Sequence, residues 1–285
     1  MWIAKDWKDY ECIDTANGEK LEKWGDIMLC RPDPQVIWDE KAVPSVWKKA
    51  DAHYHRSSSG GGKWEYKNEI PEQWTVKYKS LTFNIKPMGF KHTGLFPEQA
   101  VNWDYMMDKI AKRGGGKVLN LFAYTGGATV ACAKAGASVT HVDASKGMVQ
   151  WAKENAKSSG LENAPIRYLV DDCMKFVERE IRRGNHYDAI IMDPPSYGRG
   201  PGGEVWKIEE SICNFVRRCA LLLSDNPLFF IINSYTTGLS PTVMTNLMKI
   251  CLPEGKIEAG EIGVNITAPS MVLPCGATCR WESKE

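Results

Sequence analysis

From Asn102 onward, strand-length apolar runs alternate with helix-length amphipathic stretches, and this alternation constrains the fold more than any other feature of the chain. The expected elements are a helix over Asn102–Ala111, a buried strand over Val118–Phe122 and a helix over Thr129–Ala135. A strand over Ser138–Val142 and an amphipathic helix over Ser145–Ser158, ended by Gly160, come next. The pattern continues with Ile166–Val170 (strand), Cys173–Arg183 (helix), Tyr187–Met192 (strand), Ile208–Leu222 (helix), Leu228–Asn233 (strand) and Val243–Leu252 (helix). Two closing strands are expected near Ile257–Gly263 and Met271–Trp281. Such alternation implies an α/β fold with a doubly wound, mainly parallel sheet covered on both faces. Ligands of such sheets bind beyond the carboxyl ends of the strands, where strand order reverses.

Before about residue 90 the character differs. Segments are short, turn-rich and full of tryptophan and tyrosine, with Trp74–Tyr78 and Ser80–Ile85 reading as strands. Gly18 and Gly25 punctuate short segments such as Asp26–Arg31, and Arg31-Pro32-Asp33-Pro34 is an extended turn. Residues 1–88 are therefore expected to form a small β-rich module, and residues 89–285 the α/β domain. The Ser57–Gly62 run reads as a flexible linker in preference to a loop over a ligand.

Composition narrows the class. Hydrophobic residues make up 43% and charged residues 25% of the chain, values of a globular protein. A net charge of +1 neither advertises nor opposes a nucleic-acid partner. No run reaches the roughly 20 apolar residues of a membrane span, and the start has no signal-peptide core, so a cytoplasmic protein is expected. The nine cysteines read as free thiols. Cys275 and Cys279 are the closest pair, with no second ligand pair at zinc spacing, so no metal is expected.

Chemistry is expected just after the strands. Asn120-Leu121-Phe122-Ala123-Tyr124-Thr125-Gly126-Gly127 places two glycines between strand and helix, where the backbone can approach a ligand. An ordinary turn would look the same, and the GxGxxG dinucleotide pattern is absent. Asp143 ends the second strand, where an acid can accept from both ribose hydroxyls or cap the next helix. Asp171-Asp172 ends the third, offering an acceptor for an adenine amine or another cap. Ile190-Ile191-Met192-Asp193-Pro194-Pro195-Ser196-Tyr197 ends the fourth. Its prolines fix an extended backbone, remove two donors and leave carbonyls to accept from a planar ligand, and Tyr197 supplies a stacking face.

In this order and spacing, the four pieces resemble class I S-adenosylmethionine-dependent methyltransferases. Leu119–Gly127, Asp143 and Met192–Tyr197 resemble more closely the bacterial 23S ribosomal RNA methyltransferase family of 5-methylcytosine and 7-methylguanine enzymes. Thr93-Gly94-Leu95-Phe96-Pro97-Glu98-Gln99 is similar to the segment preceding the cofactor turn there. The likeness covers about residues 85 to 240. It implies a seven-stranded Rossmann-like methyltransferase domain, S-adenosylmethionine as cofactor and ribosomal RNA as substrate. It also implies that Asn120, Phe122, Ala123, Tyr124 and Gly126, in the turn with Thr125 and Gly127, line the methionine end. Asp143 would hold the ribose, Ala144 pack by the adenine, and Asp172 reach the adenine amine. Asp193 would sit near the transferred methyl, with Pro194, Pro195 and Tyr197 orienting the acceptor, and Phe96 and Gln99 would close the cofactor site from the other side. Protein and small-molecule acceptors, and a non-catalytic RNA-associated module, remain the rival readings.

The chain departs from the family in two places. Tyr235, in Asn233-Ser234-Tyr235-Thr236-Thr237-Gly238, stands where 5-methylcytosine enzymes carry a nucleophilic cysteine. Cytosine C5 chemistry needs that thiolate, and Cys275 is the alternative source, against a plain strand cysteine. The first module does not match the family's RNA-binding module. His53, Tyr54, His55 and Arg56 are either RNA contacts or, preferably, a solvated edge. Gly198–Lys207, glycine-rich with Arg199, Trp206 and Lys207, has the make-up of a mobile lid over the acceptor, or of a plain surface loop. As a lid, Trp206→Ala lowers turnover and leaves cofactor affinity alone.

Overall fold

The computed structural model describes residues 1–57, 61–199 and 205–284. Residues 58–60 of the Ser/Gly run and 200–204 of the expected lid lie outside the described residues. Contacts divide the chain into two compact units. One holds Met1, Asn102–Glu261 and Gly276–Glu285, the other Trp2–Val101 and Ile262–Cys275.

The unit built on the amino-terminal third has strands β1 (Trp2–Ala4), β2 (Tyr10–Ala16), β3 (Glu19–Trp24) and β4 (Ile27–Pro32), then a short helix α1 (Pro44–Trp47). Strands β5 (Ala52–Arg56), β6 (Gly62–Tyr66), β7 (Trp74–Tyr78) and β8 (Leu81–Ile85) and a 3₁₀ turn over Pro97–Gln99 follow. Strands β2, β3 and β4 form an antiparallel meander, β5 adds in parallel to β4, and β6 pairs antiparallel with β5. β7 and β8 make a separate hairpin. Alternation explains the packing of β5. Ala52 and Tyr54 are buried, while His53 and His55 face outward. Tyr54, at 2% exposure, is a core residue, neither part of the solvated edge preferred for the His-Tyr-His-Arg run nor an RNA contact. Trp7, Tyr10, Trp24 and Tyr78 form an aromatic cluster with centroid separations of 4.6 to 5.8 Å. Beside it, buried Glu22 takes Arg31 at 2.7 Å, the Tyr10 hydroxyl at 2.8 Å and Lys20 at 3.5 Å.

The second unit runs α2 (Ala100–Arg113), β9 (Gly116–Leu121), α3 (Gly127–Lys134), β10 (Ala137–Asp143), α4 (Lys146–Ser158), β11 (Ile166–Val170), α5 (Cys173–Arg182) and β12 (Ala189–Met192). A small hairpin β13 (Tyr197–Arg199) and β14 (Val205–Lys207) precedes α6 (Ile208–Ala220), β15 (Phe229–Ser234), α7 (Pro241–Cys251), β16 (Gly255–Ile266) and β17 (Met271–Ser283). The strands of this unit run in the order β11-β10-β9-β12-β15-β17-β16. The first five are parallel to one another, and β17 is antiparallel to β15. The expected doubly wound α/β fold is thus the one observed.

The double winding is written into β12. Ile190 and Met192 pack with Phe176, Phe215 and Met244 of α5, α6 and α7, whereas Ala189 and Ile191 pack with Met106, Ile110 and Cys132 of α2 and α3. Four consecutive buried apolar residues therefore serve two cores, as a central parallel strand requires. The chain leaves β9 toward β10 and β11, then returns to β12 on the other side of β9, which places the switch point between β9 and β12. Among the described residues, no helix is long and apolar enough to cross a membrane.

Candidate active site

Three strand ends meet at the switch point. After β9 the backbone turns through left-handed conformations, with φ 53° at Phe122, 50° at Tyr124 and 81° at Gly126. Non-glycine residues in that region carry strain, which the surrounding contacts must offset. Here the offset is visible. The Tyr124 N–H donates to Asp143 Oδ2 at 2.8 Å, the Ala123 N–H to the Val142 carbonyl at 3.1 Å, and the Phe122 N–H to the Cys173 sulfur at 3.3 Å. Thr125 is buried, and its carbonyl accepts from Asn155 of α4 at 2.8 Å. A Cβ on Gly126 would lie 2.8 Å from that of Ala152, and one on Gly127 2.9 Å from the Trp103 ring. Glycine is thus dictated at both positions by close packing.

Asp143 binds on both sides, its Oδ1 accepting from the Ser145 N–H at 2.8 Å. Burial raises its pKa above the ordinary carboxyl value, opposed by the two backbone N–H groups. Each oxygen keeps acceptor capacity for a further donor. Ser145, not Asp143, caps α4, accepting from the Met148 N–H. Ala144 is exposed beside it. At the end of β11 both acids have protein partners. Asp172 caps α5 by accepting from the Lys175 N–H at 2.9 Å, and Asp171 pairs with Arg179. The capping alternative for Asp172 is therefore realised, with its second oxygen left for another donor.

Asn120 lies where sequence reasoning did not put it. It is 3% exposed, and its amide donates to Thr129 Oγ1 at 2.9 Å, which in turn meets His141 Nδ1 at 2.9 Å. Strand alternation turns it toward α3, so it braces the turn from behind instead of lining it. Burial holds His141 neutral, with its pKa lowered to about 3.

After β12, Asp193 is half-buried, Pro194 buried, and Pro195, Ser196 and Tyr197 exposed. Ser196 Oγ meets Thr236 Oγ1 at 2.6 Å, which ties this segment to the one after β15. The Pro195 carbonyl, expected to face a ligand, accepts instead from the Trp206 indole N–H at 2.6 Å. The Trp206 ring lies 5.5 Å from Phe122 and 5.7 Å from Phe215. The flanks of the expected mobile lid are thus paired as β13 and β14, with Trp206 anchored.

Tyr235 is exposed, and its ring lies against Gly276, where an added Cβ would come within 2.8 Å. Phe96 and Gln99 belong to the first unit. There Gln99 is buried, and the Phe96 ring stands edge-on to His92 at 5.5 Å. Cys275 belongs to that unit too. Burial, with the nearby Glu98 charge, pushes its thiol well above the ordinary range, the opposite of an activated nucleophile.

A model of S-adenosylmethionine-dependent methyltransferases matches residues 47–244. The chain belongs to this family. A SAM-dependent methyltransferase from Agrobacterium tumefaciens is 38% identical, covering 99% of this chain and 93% of that one, with a TM-score of 0.94. A methyltransferase complexed with SAH shares the fold at 18% identity, with a TM-score of 0.77 over 97% of this chain and 76% of that one. The ribosomal RNA large subunit methyltransferase K/L of Shewanella frigidimarina is 31% identical over 194 residues, 65% of this chain and 26% of that protein. The methyltransferase thus spans about a quarter of the length of that curated relative. Its cofactor is S-adenosylmethionine, and the site suits it. The left-handed turn, the glycines that a Cβ would block and a half-buried carboxylate with spare acceptor capacity stand together at the switch point.

Proposed function

We propose that this methyltransferase modifies a base of ribosomal RNA, at a ring or exocyclic nitrogen. One observation carries the acceptor side. Asp193-Pro194-Pro195-Ser196-Tyr197 leaves β12 immediately beside the turn that follows β9, because β9 and β12 are hydrogen-bonded neighbours. A planar acceptor there meets a half-buried carboxylate, a rigid proline pair and an exposed tyrosine face. The ribosomal RNA methyltransferases among its relatives supply the substrate class.

Bound S-adenosylmethionine supplies an electrophilic methyl group, and the protein's part is alignment and exclusion of water. Asp143 would hold the ribose hydroxyls, and Asp172 the adenine amine through the oxygen that capping does not use. Ala144 would lie against the adenine. Phe122, Ala123, Tyr124, Thr125 and the two glycines would shape the methionine end. Asp193 and the Pro194 carbonyl orient the acceptor, Pro195 holds the segment rigid, and Tyr197 stacks on the base. With tyrosine at position 235 and the Cys275 thiol raised well above its ordinary range, neither position weighed for the nucleophile supplies a thiolate for attack on cytosine C6, which favours a nitrogen acceptor.

The test is transfer of tritiated methyl to ribosomal RNA from a strain lacking the gene, with parent-strain RNA and the protein fraction in parallel. Label in mutant RNA alone is expected, and nucleoside digestion then names the base. Label in the protein fraction alone overturns the RNA assignment. Absence of S-adenosylhomocysteine with every fraction overturns catalysis.

A further inference from the structure

In the amino-terminal unit, Glu19 of β3, Cys30 of β4 and His53 of β5 bring one carboxylate oxygen, one sulfur and one imidazole nitrogen within 4.8 Å of one another. We propose that these three side chains bind a divalent transition-metal ion of the zinc class, as a clasp across three strands. The site is separate from the methyl-transfer chemistry and does not depend on it.

The strand register builds the cluster. Cys30 and His53 are direct partners across β4 and β5, and Glu19 lies on β3, the other neighbour of β4. Cys30 is 2% exposed, in the apolar cluster with Ala16, Leu21, Trp47 and Ala50. Glu19 and His53 are partly exposed and form the open side, with Glu19 Oε1 and His53 Nε2 2.5 Å apart. A buried floor of sulfur under a rim of nitrogen and oxygen is a donor set that suits zinc, which accepts all three. The His55 ring, tilted at 39° to that of His53 with centroids 4.0 Å apart, packs against it from outside and is itself held by Glu65 at 2.7 Å.

The charges also fit. A Glu carboxylate, a Cys thiolate and a neutral imidazole sum to two negative charges, which a divalent ion cancels. Binding breaks the Cys30 S–H bond. The proton passes to solvent, the sulfur electron pair becomes the metal bond, and no oxidant or reductant takes part. The rival reading of Cys, His and Glu as a nucleophilic triad fails on access, because the sulfur is buried.

The test uses the full chain, stripped with chelator under a thiol-free reductant and titrated with Co²⁺ alone, then with Zn²⁺. One equivalent of Co²⁺ is expected, with a near-ultraviolet thiolate-to-metal band that Zn²⁺ abolishes. Cys30→Ser should lose the band, and His53→Ala, at a partly exposed position, should weaken binding by about tenfold or more. Cys213→Ser, which removes one of two thiols 3.8 Å apart in the other unit, should leave the band unchanged. Zn²⁺ should raise the melting temperature of the wild type and not of a folded Cys30→Ser. Absence of the band in the wild type, or its survival in Cys30→Ser, overturns the proposal.

Discussion

Trp206 donates its indole N–H to the carbonyl of Pro195 at 2.6 Å, and the same ring packs against Phe122 of the turn after β9. One side chain therefore joins the proposed acceptor segment to the proposed cofactor turn. A freely moving lid residue would affect turnover alone. Trp206→Ala, by contrast, is expected to lower both turnover and cofactor affinity, because it removes the support of Phe122 as well as the bond to Pro195. Trp206→Phe keeps a ring and loses one hydrogen bond, about 1 kcal/mol, so roughly a fivefold fall in turnover with near-normal cofactor affinity is expected. Calorimetry of S-adenosylmethionine binding beside a methyl-transfer rate separates the two. Unchanged affinity in the alanine variant would restore the simple lid.

Asp143 holds the Tyr124 and Ser145 N–H groups at 2.8 Å each and, on the proposed reading, the ribose as well. Asp143→Ala should weaken cofactor binding roughly ten- to hundredfold, the value of about 1.5–3 kcal/mol for hydrogen bonds to a charged group. The same variant also releases the left-handed Tyr124. Asp143→Asn is therefore the informative partner: it should hold less tightly than wild type yet better than alanine. Equal affinity in all three proteins would remove Asp143 from the cofactor site.

Gly126 combines φ 81° with a neighbour 2.8 Å from any added Cβ. Gly126→Ala should cost about 1–3 kcal/mol of stability, through left-handed strain and contact with Ala152. Because the strain relaxes by moving the turn, cofactor affinity should fall too. Gly136, also at positive φ but with nothing within 4 Å of an added Cβ, is the control. Its alanine variant should lose some stability by thermal denaturation and keep cofactor affinity.

Glu22 and His141, both buried, contribute to the acid limb of stability. Burial alone would raise Glu22, but Arg31 and Lys20 overcome it and hold the carboxyl at about 2, below its ordinary 4.5. A depressed carboxyl stabilises above pH 4.5 and loses that contribution as pH falls toward 2. His141, lowered by burial from 6.5 to about 3, is neutral when folded and takes up a proton on unfolding, so its contribution drains between pH 6.5 and 3. Stability should therefore decline in two overlapping windows. Glu22→Gln should flatten the lower one and cost roughly 3 kcal/mol or more at neutral pH, since Arg31 and Lys20 lose their buried partner. Urea denaturation across pH reads both. An unaltered slope below pH 4.5 in that variant would relocate the acid sensitivity.

The α/β unit was legible because its signals are local. The β-branched apolar run at Ala189–Met192, closed by Asp193-Pro194-Pro195, reads as a strand buried on both faces, and Ser145 and Gly160 bracket a helix by their capping chemistry. What the sequence did not disclose depends on residues far apart. Asn120 reads as a turn residue until pairing fixes its direction and sends it to Thr129. The Pro195 carbonyl reads as open until Trp206, eleven residues on, returns to it. Glu19, Cys30 and His53 have no ligand spacing at all. Only the register of three strands brings them together, and no count of intervals along the chain could have found them. The return of residues 262–275 to the amino-terminal unit likewise has no local mark.

Asp193 carries the most demanding prediction. It is half-buried at the end of β12, followed by a rigid proline pair, so its position is set by the strand and not by a loop. If it orients the acceptor and contributes little to holding the cofactor, Asp193→Ala should reduce single-turnover methyl transfer by roughly a hundredfold or more, the cost of misplacing a reacting group. S-adenosylhomocysteine affinity should change far less. Asp193→Asn retains an acceptor oxygen of the same size. Partial activity in that variant therefore means the side chain works by hydrogen bonding to the acceptor, whereas loss equal to that of alanine means the charge itself is needed. Full transfer in the alanine variant would move the acceptor site away from β12 and leave the proline pair as a structural stop.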